Sequence, residues 1–165
     1  MITIGITGHQ KLENPKDWSW VQKQIKLVLD GMVRPWVGLS SLAIGADQLF
    51  ASLVLESGSV LKVIVPNEEY AETFSRGPER QRYITLLEQA AEVRFLTGAS
   101  SAEESYLQAG RLMADEADRI LAVWDGEPAK GLGGTGDIVA YARASGKKII
   151  HINPTSHEVR ELHSS

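Results

Sequence analysis

The chain has 165 residues, a formal net charge of -4 and no cysteine. This length fits one domain with a substantial buried core, and the absence of cysteine excludes disulfides, thiolate metal ligands and a cysteine nucleophile. Because the 17 basic residues are outnumbered by 21 acidic ones, the charge argues against broad contact with a phosphate backbone, and we expect no nucleic-acid partner.

Targeting and metal signals are absent from the sequence. The chain starts on a strand-like run instead of a basic and apolar leader, and no apolar stretch approaches the roughly 20 residues that span a bilayer. We therefore expect a cytoplasmic protein without membrane contact. The four histidines lack the i, i+4 spacing that pairs ligands on a helix, so we expect no metal site and assign no cofactor; they are His9, His151, His157 and His163.

Six short apolar, mostly β-branched runs predict strands: Ile2–Ile6, Val37–Ala43, Val60–Val65, Glu92–Leu96, Arg119–Trp124 and Lys148–Ile152. Segments with 3.6-residue apolar spacing separate most of them. This alternation predicts an α/β, Rossmann-like, doubly wound parallel sheet in the order 3-2-1-4-5-6, with helices on both faces. Residues 1–153 are expected to form one nucleotide-binding domain, followed by a polar tail, 154–165, that is a short helix or frayed.

The first glycine-rich loop follows the first predicted strand and includes Thr7, Gly8 and His9. Glycine lets backbone amides approach a bound group closely. The full GxGxxG dinucleotide fingerprint is missing because Lys11 stands where its last glycine belongs. His9 is either a ligand contact or a turn residue with a local hydrogen bond.

The second loop leads from the second strand into a helix through Gly45, Ala46 and Asp47. We favour a structural role for Asp47 as a cap of that helix. Alternatively, Gly45 and Ala46 are small because a ligand lies against them.

The third loop gives the strongest signal. A buried strand leads to Asp125 and Gly126, and a helix is predicted to begin near Thr135, so its N-terminal amides suit a phosphate or carboxylate. The alternative is a glycine turn needed only for close packing. The candidate ligand-binding residues here are Asp125, Gly126, Gly133, Gly134, Thr135, Gly136 and Asp137.

A long segment, residues 66–82, carries Arg76, Arg80 and Arg82 close to Tyr70. An arginine-bearing lid over an anionic ligand has this composition, and so does a solvated loop. Since Arg80 and Arg82 cannot share a helix face, at most one points into a crevice, and Arg80 is the candidate.

These segments resemble the SLOG superfamily, the Rossmann-like group that contains DprA-like and LOG-type proteins. The resemblance rests on 2–9, on the SxxAxGxD pattern at 41–47, and on Asp125-Gly126 with Gly133-Gly134-Thr135. It implies a nucleotide-binding loop like that of LOG phosphoribohydrolases and nucleoside 2-deoxyribosyltransferases. Those enzymes place a glutamate three residues after the threonine, where this chain has Ile138.

Two functions follow, and a third, single-stranded DNA binding in the manner of DprA-like proteins, is disfavoured by the negative charge. The first is a sensor or signalling module that binds a nucleotide or nucleotide-derived molecule. The second is an N-glycosidase or glycosyltransferase, with Asp137 or Asp125 as the catalytic carboxylate and Tyr70 or His9 assisting. Trp18 and Trp20 are a possible homo-oligomer interface or pack locally.

Overall fold

The structure is a computed structural model that describes residues 1–163. The strands and helices follow one another in the order β1 (Ile2–Gly8), α1 (Asp17–Asp30), β2 (Trp36–Ser40), α2 (Ala46–Glu56), β3 (Val60–Val65), a short 3-10 helix (Tyr70–Thr73), α3 (Pro78–Gln89), β4 (Glu92–Phe95), α4 (Ala102–Glu116), β5 (Arg119–Val123), α5 (Thr135–Ala144), β6 (Lys148–Asn153) and β7 (Glu158–Leu162).

The sheet confirms the predicted α/β class but not the predicted strand order. Seven strands lie in the order β4-β3-β2-β1-β5-β6-β7, and the first six are parallel. The predicted order placed the fourth strand beside the first. Instead β4 pairs with β3 at the edge of the sheet, and β5 pairs with β1 on the side opposite β2. The chain therefore reverses its direction of winding between β1 and β5.

The expectation of a helical or frayed tail is wrong. Residues 158–162 form β7, which pairs antiparallel with β6. The turn before β7 is held against α1, where the His157 ring stacks on Trp20 at 4.3 Å and its Nε2 lies 2.9 Å from the Asp17 carboxylate. Three of its five residues are charged, which leaves too little apolar pattern to predict this strand.

Helices cover both faces of the sheet, as predicted. One core cluster joins α1, α2 and α3 to the sheet through Val21, Ile25, Phe50, Val54 and Leu86. The other joins α4 and α5 to the opposite face through Ala109, Met113, Ile138, Val139 and Ala142. Strands buried between two helical layers require nearly continuous apolar sequence, and β2 is buried along its whole length. No helix within residues 1–163 has both the length and the apolar character needed to cross a bilayer.

Candidate functional site

The reversal between β1 and β5 opens a cleft at the carboxyl ends of the strands. Gly8 of β1 is in register with Val123 of β5, and beyond them lies a cavity of about 1340 Å³. Open parallel sheets bind ligands at such switch points. Most of the predicted site residues line it together, and these are Thr7, Gly8, His9, Asp47, Asp125, Gly133, Gly134, Thr135 and Gly136.

The turn that follows β1, residues 8–10 (the β1 turn), packs against β5. A side chain at Gly8 would place its Cβ 2.6 Å from the Ala46 Cβ and 2.9 Å from the Val123 Cβ. The His9 amide donates to the Val123 carbonyl at 3.0 Å, and His9 Nε2 accepts from the Asp125 amide at 3.1 Å. His9 Nε2 also lies 3.4 Å from an Asp125 carboxylate oxygen. His9 therefore joins the turn after β1 to the loop after β5 instead of making a hydrogen bond within its own turn, and it also lines the cleft.

The N-terminus of α5 presents free backbone donors to the cleft. The amides of Gly133, Gly134, Asp137 and Ile138 are occupied by acceptors in the same loop and first turn. Those of Thr135 and Gly136 donate to no acceptor among the described residues. Both residues line the cleft. The helix macrodipole adds a partial positive charge at the same place, so this terminus can hold an anion.

Packing also accounts for the glycines of this loop. Gly133 has φ 81°, and a Cβ there would lie 2.7 Å from the Leu107 amide nitrogen on α4. A Cβ on Gly136 would lie 2.7 Å from the Ala129 nitrogen. Gly126 has φ 88° with open space around it, and it lies outside the cleft lining. The loop thus needs glycine to fold on itself and on α4, as well as to expose its amides.

The structure places Asp137 and Ile138 in structural positions. An Asp137 carboxylate oxygen accepts from the Gly133 amide at 3.1 Å, and Asp137 is not among the cleft-lining residues. Ile138 is 2% exposed and packs on Gly110, where an added Cβ would lie 2.4 Å from the Ile138 Cδ1. Ile138, at the helix position where LOG phosphoribohydrolases and deoxyribosyltransferases carry glutamate, therefore packs between α4 and α5.

Gly45 and Ala46 are small because the β1 turn lies against them. Gly45 has φ 89°, and a Cβ there would lie 2.5 Å from the Gln10 carbonyl oxygen and 2.6 Å from that of His9. The Ala46 amide donates to the same His9 carbonyl at 3.1 Å. This contact between protein segments, and not a ligand, accounts for their small size.

Asp47 does not cap α2 in the way expected. The N-cap is Gly45, without a side-chain cap, and an Asp47 carboxylate oxygen accepts from the Ser41 amide at 3.3 Å. Asp47 is 7% exposed and lines the cleft. Burial raises its pKa from 3.8 to about 7, although the Ala43 and Ser41 amides, which stabilise the carboxylate, oppose the shift. Buried carboxyls with raised pKa values are typical of functional clefts.

The raised pKa of Asp47 predicts a measurable pH dependence. The folded protein holds this proton more tightly than the unfolded chain, so Asp47 stabilises the fold fully below about pH 4 and loses this contribution as the pH rises to about 7, at up to ~1.4 kcal/mol per pH unit. Urea unfolding of wild type and Asp47→Asn between pH 4 and 8 should show this slope only in wild type. Parallel curves would contradict it.

Arg80 lies outside the cleft lining. Its guanidinium donates to the Phe74 carbonyl at 3.0 Å and to the Glu72 carbonyl at 3.3 Å, which ties α3 to the 3-10 helix. Tyr70 and Phe74 are buried in the core beneath this segment. The segment is thus packed in place and Arg80 stabilises it, so the prediction that Arg80 contacts ligand is not supported.

The ionised side chains around the cleft are mostly acidic. The acidic lining residues are Glu13, Asp17, Asp47, Glu103, Asp125 and Glu127, against Lys11 and Lys130. An anion in the cleft therefore depends on backbone amides and on Lys11 and Lys130, while the carboxylates suit ligand hydroxyl and amino groups. Within residues 1–163, no cluster of three or more acidic or histidine side chains is arranged to hold a metal ion.

Tyr106 is a cleft residue that sequence reasoning missed. It lies on α4, its backbone touches the loop at Gly133, and its ring centroid is 6.2 Å from that of Tyr70. Apolar spacing along a helix is the same for a core residue and for one that faces a cleft at a helix end. Only the meeting of α4 with the α5 loop distinguishes them.

Solved structures share this architecture. DprA from Streptococcus pneumoniae matches with TM-score 0.65 and 12% identity over 91% of this chain and 50% of its own. DprA from Helicobacter pylori, described with its single-stranded DNA binding mode, matches with TM-score 0.63 and 14% identity over 94% and 70%. The molybdenum cofactor carrier protein of Chlamydomonas reinhardtii matches with TM-score 0.56 and 15% identity over 91% and 75%.

The chain shares the fold of these proteins. The resemblance inferred from the three glycine-rich segments is thereby confirmed for the architecture. No protein-family model matches the chain, and a search of curated proteins finds no match. The chain spans half the length of the pneumococcal DprA chain.

These neighbours correct one expectation. The net charge argued against nucleic acid as a partner, yet two neighbours are DprA proteins and one of them is described with its single-stranded DNA binding mode. A net charge of -4 therefore does not exclude a nucleic-acid partner on this fold, because binding depends on local charge and not on the total.

Proposed function

We propose that this protein binds a nucleotide or nucleotide-derived small molecule in the cleft between β1 and β5, as a sensor or signalling module. The observation that carries the proposal is the pair of free amides, Thr135 and Gly136, at a helix N-terminus that lines the cleft. Such a terminus suits a phosphate. The acidic lining suits sugar hydroxyls, which donate to carboxylates.

The size of the cleft also supports a ligand of this class. Its volume of about 1340 Å³ exceeds the roughly 300–1,000 Å³ of typical small-molecule sites. The same cleft is lined by the α5 terminus and by aromatic residues on α4 and the 3-10 helix, Tyr106 and Tyr70. Inorganic phosphate alone would leave most of the cleft to solvent.

Isothermal titration with a panel of nucleoside monophosphates, the matching nucleosides and inorganic phosphate tests the proposal. We expect at least one monophosphate to bind more tightly than both its nucleoside and free phosphate, because only the monophosphate contacts both parts of the cleft. Absence of binding by every member at millimolar concentration would refute it.

Single-stranded DNA is a second candidate ligand, supported by the DNA-binding neighbour from Helicobacter pylori. The same free amides would then hold one backbone phosphate. Fluorescence anisotropy of a labelled oligonucleotide over a range of salt concentrations tests this candidate, because log affinity falls by about 0.7 per neutralised phosphate for each tenfold rise in salt.

The enzymatic alternative rests on Asp125. It is the candidate catalytic carboxylate that lines the cleft, next to His9, and its Oδ1 accepts from the Glu127 amide at 2.9 Å. The Asp137 carboxylate accepts from the Gly133 amide, and Asp137 is not among the cleft-lining residues. Cleavage of an N-glycosidic bond requires a carboxylate at the anomeric carbon. Release of free base from the nucleotide panel, compared between wild type and Asp125→Asn, distinguishes an enzyme from a binding protein.

A further inference from the structure

The strand β4 forms one edge of the sheet, and its outer side is open. Within residues 1–163 it pairs with β3 alone. The Ala91 amide donates to the Leu61 carbonyl of β3 at 2.8 Å. Because backbone groups alternate in direction along a strand, those of Glu92 and Arg94 point away from β3. An edge of this kind is a template for pairing with a strand of another chain.

The side chains of β4 divide between the two faces of the sheet. Glu92 and Arg94 lie on one face, where Arg94 forms an ion pair with α4. Val93 packs on the core at the opposite face. Phe95 follows on the same face as Val93 and is 57% exposed, and Ala91 before it is exposed as well. The segment 91–95 therefore carries opposite charges on one face and an apolar row on the other.

These side chains match one another when two copies of β4 pair antiparallel about a two-fold axis at Val93. The axis is perpendicular to the sheet, so each face of one copy continues as the same face of the second copy. Glu92 of each copy then lies opposite Arg94 of the other, and Val93 lies opposite Val93. Phe95 covers Ala91 of the second copy. The opposed residues Glu92 and Arg94 are also those whose backbone groups point outward, so the same register satisfies their hydrogen bonds.

Charge favours this register over its neighbours. An axis at Glu92 would place two carboxylates opposite each other, and an axis at Arg94 would do the same with two guanidinium groups. Like charges directly opposite each other destabilise a strand pair. Charged residues usually protect an edge from pairing, but their order here makes the edge complementary to itself.

Ion pairs within each copy extend the match. The Lys62 ammonium lies 3.3 Å from the Glu92 carboxylate, and Arg94 pairs with Glu116 of α4. When Glu92 of one copy meets Arg94 of the other, the four groups form a row in which positive and negative charges alternate. No like charges become neighbours in this row.

We propose that β4 is a self-association surface through which two copies of this chain form a two-fold dimer with one continuous sheet. The partner is a second copy because residues 91–95 find their complement, in charge, apolar character and backbone hydrogen bonds, in the same segment. The cleft lies between β1 and β5, and β2 and β3 separate it from this edge. The proposal is therefore independent of the proposed function.

Sedimentation velocity over a range of protein concentrations tests the dimer. The wild-type protein should change from monomer to dimer as its concentration rises, and added salt should weaken the dimer because exposed charges are screened. Glu92→Arg and Arg94→Glu each place like charges opposite each other at two positions, so each should weaken the dimer at least ~10-fold. A wild-type protein that stays monomeric at millimolar concentration would overturn the proposal.

Charge rescue tests the register. A mixture of the Glu92→Arg and Arg94→Glu proteins should form a mixed dimer, because each contact between positions 92 and 94 again joins opposite charges. The double variant Glu92→Arg/Arg94→Glu should regain self-association for the same reason. Single variants that dimerise as well as wild type, or the failure of both rescues, would contradict this register.

Arg160→Glu on β7 is the matched control. β7 is the edge strand at the other end of the sheet, and Arg160 pairs with a glutamate two residues away, Glu158. The variant thus makes the same charge change on the same kind of strand. It should leave the dimer affinity within ~2-fold of wild type, because charges far from an interface are screened. Loss of the dimer in Arg160→Glu but not in Arg94→Glu would assign the interface to β7 and overturn the proposal.

Amide hydrogen exchange of the wild-type protein gives a result that needs no variant. In the dimer the Glu92 and Arg94 amides should exchange more slowly than at low concentration, where the monomer predominates. The Ala91 amide already donates to β3 and should change less. A dimer in which the exchange of the Glu92 and Arg94 amides is unchanged would overturn the assignment of its interface to β4.

Discussion

The Thr135→Pro variant should bind the nucleotide about 10- to 100-fold more weakly than wild type, because one donor to the phosphate is lost and a hydrogen bond to a charged group contributes roughly 1.5–3 kcal/mol. Thr135 is the first residue of α5, a position where proline is well tolerated. Gly134 before it has ψ 171°, which a following proline favours. Isothermal titration measures the loss.

Two comparisons make this result specific. Thr135→Val keeps the amide and removes the hydroxyl, so it measures the side-chain contribution alone and should bind more tightly than Thr135→Pro. The free energy of unfolding of Thr135→Pro should stay within about 1 kcal/mol of wild type, since no internal amide hydrogen bond is lost. Unchanged affinity in the proline variant would show that this amide does not bind the ligand.

The Gly45→Ala variant should reduce the free energy of unfolding by about 3–5 kcal/mol. Gly45 has φ 89° and ψ -124°, a region nearly closed to other residues that costs roughly 1–3 kcal/mol to occupy. The added Cβ also meets the Gln10 and His9 carbonyl oxygens at 2.5 and 2.6 Å, and neither can move without shifting the β1 turn. Urea unfolding measures the change.

Gly77→Ala is a matched control for this prediction. Gly77 has φ 96° and ψ -136°, almost the same conformation, with nothing within 4 Å of an added Cβ. It should lose only the conformational part, roughly 1–3 kcal/mol. The difference between the two variants therefore measures the contact between α2 and the β1 turn. Equal losses would mean that this contact contributes nothing.

Periodicity and turn chemistry were enough to predict the layers of the fold. The apolar runs that became β1, β3, β5 and β6 lie within one or two residues of their predicted bounds, because central strands need apolar residues on both faces. The order of the strands could not be read in this way. The two edge strands are β4, which has four residues, and β7. Neither sequence indicates which strand it pairs with, because the pairing depends on which edge of the sheet is free.

The candidate site was predicted in part, and the limits have physical reasons. Glycine turns after parallel strands lie at one edge of the sheet, so the placement of Gly8 and Gly134 in one cleft followed from the alternation of strands and helices. The same composition does not reveal whether a glycine contacts a ligand or another segment, and Gly45 and Gly133 proved to contact segments. From the sequence, Asp137 was a candidate catalytic carboxylate. Its hydrogen bond to the Gly133 amide depends on how the loop folds, so the sequence alone did not predict it.

The most direct test of the central claim is an amide NMR titration of the ¹⁵N-labelled protein with the tightest-binding nucleotide of the panel. The free backbone donors at the start of α5 should take up hydrogen bonds to the phosphate. We therefore predict large, saturating shifts for the Thr135 and Gly136 amides, with smaller shifts in the β1 turn at residues 8–10. Saturable binding that leaves these amides unchanged, or shifts confined to β4 and β7 at the edges of the sheet, would contradict the account.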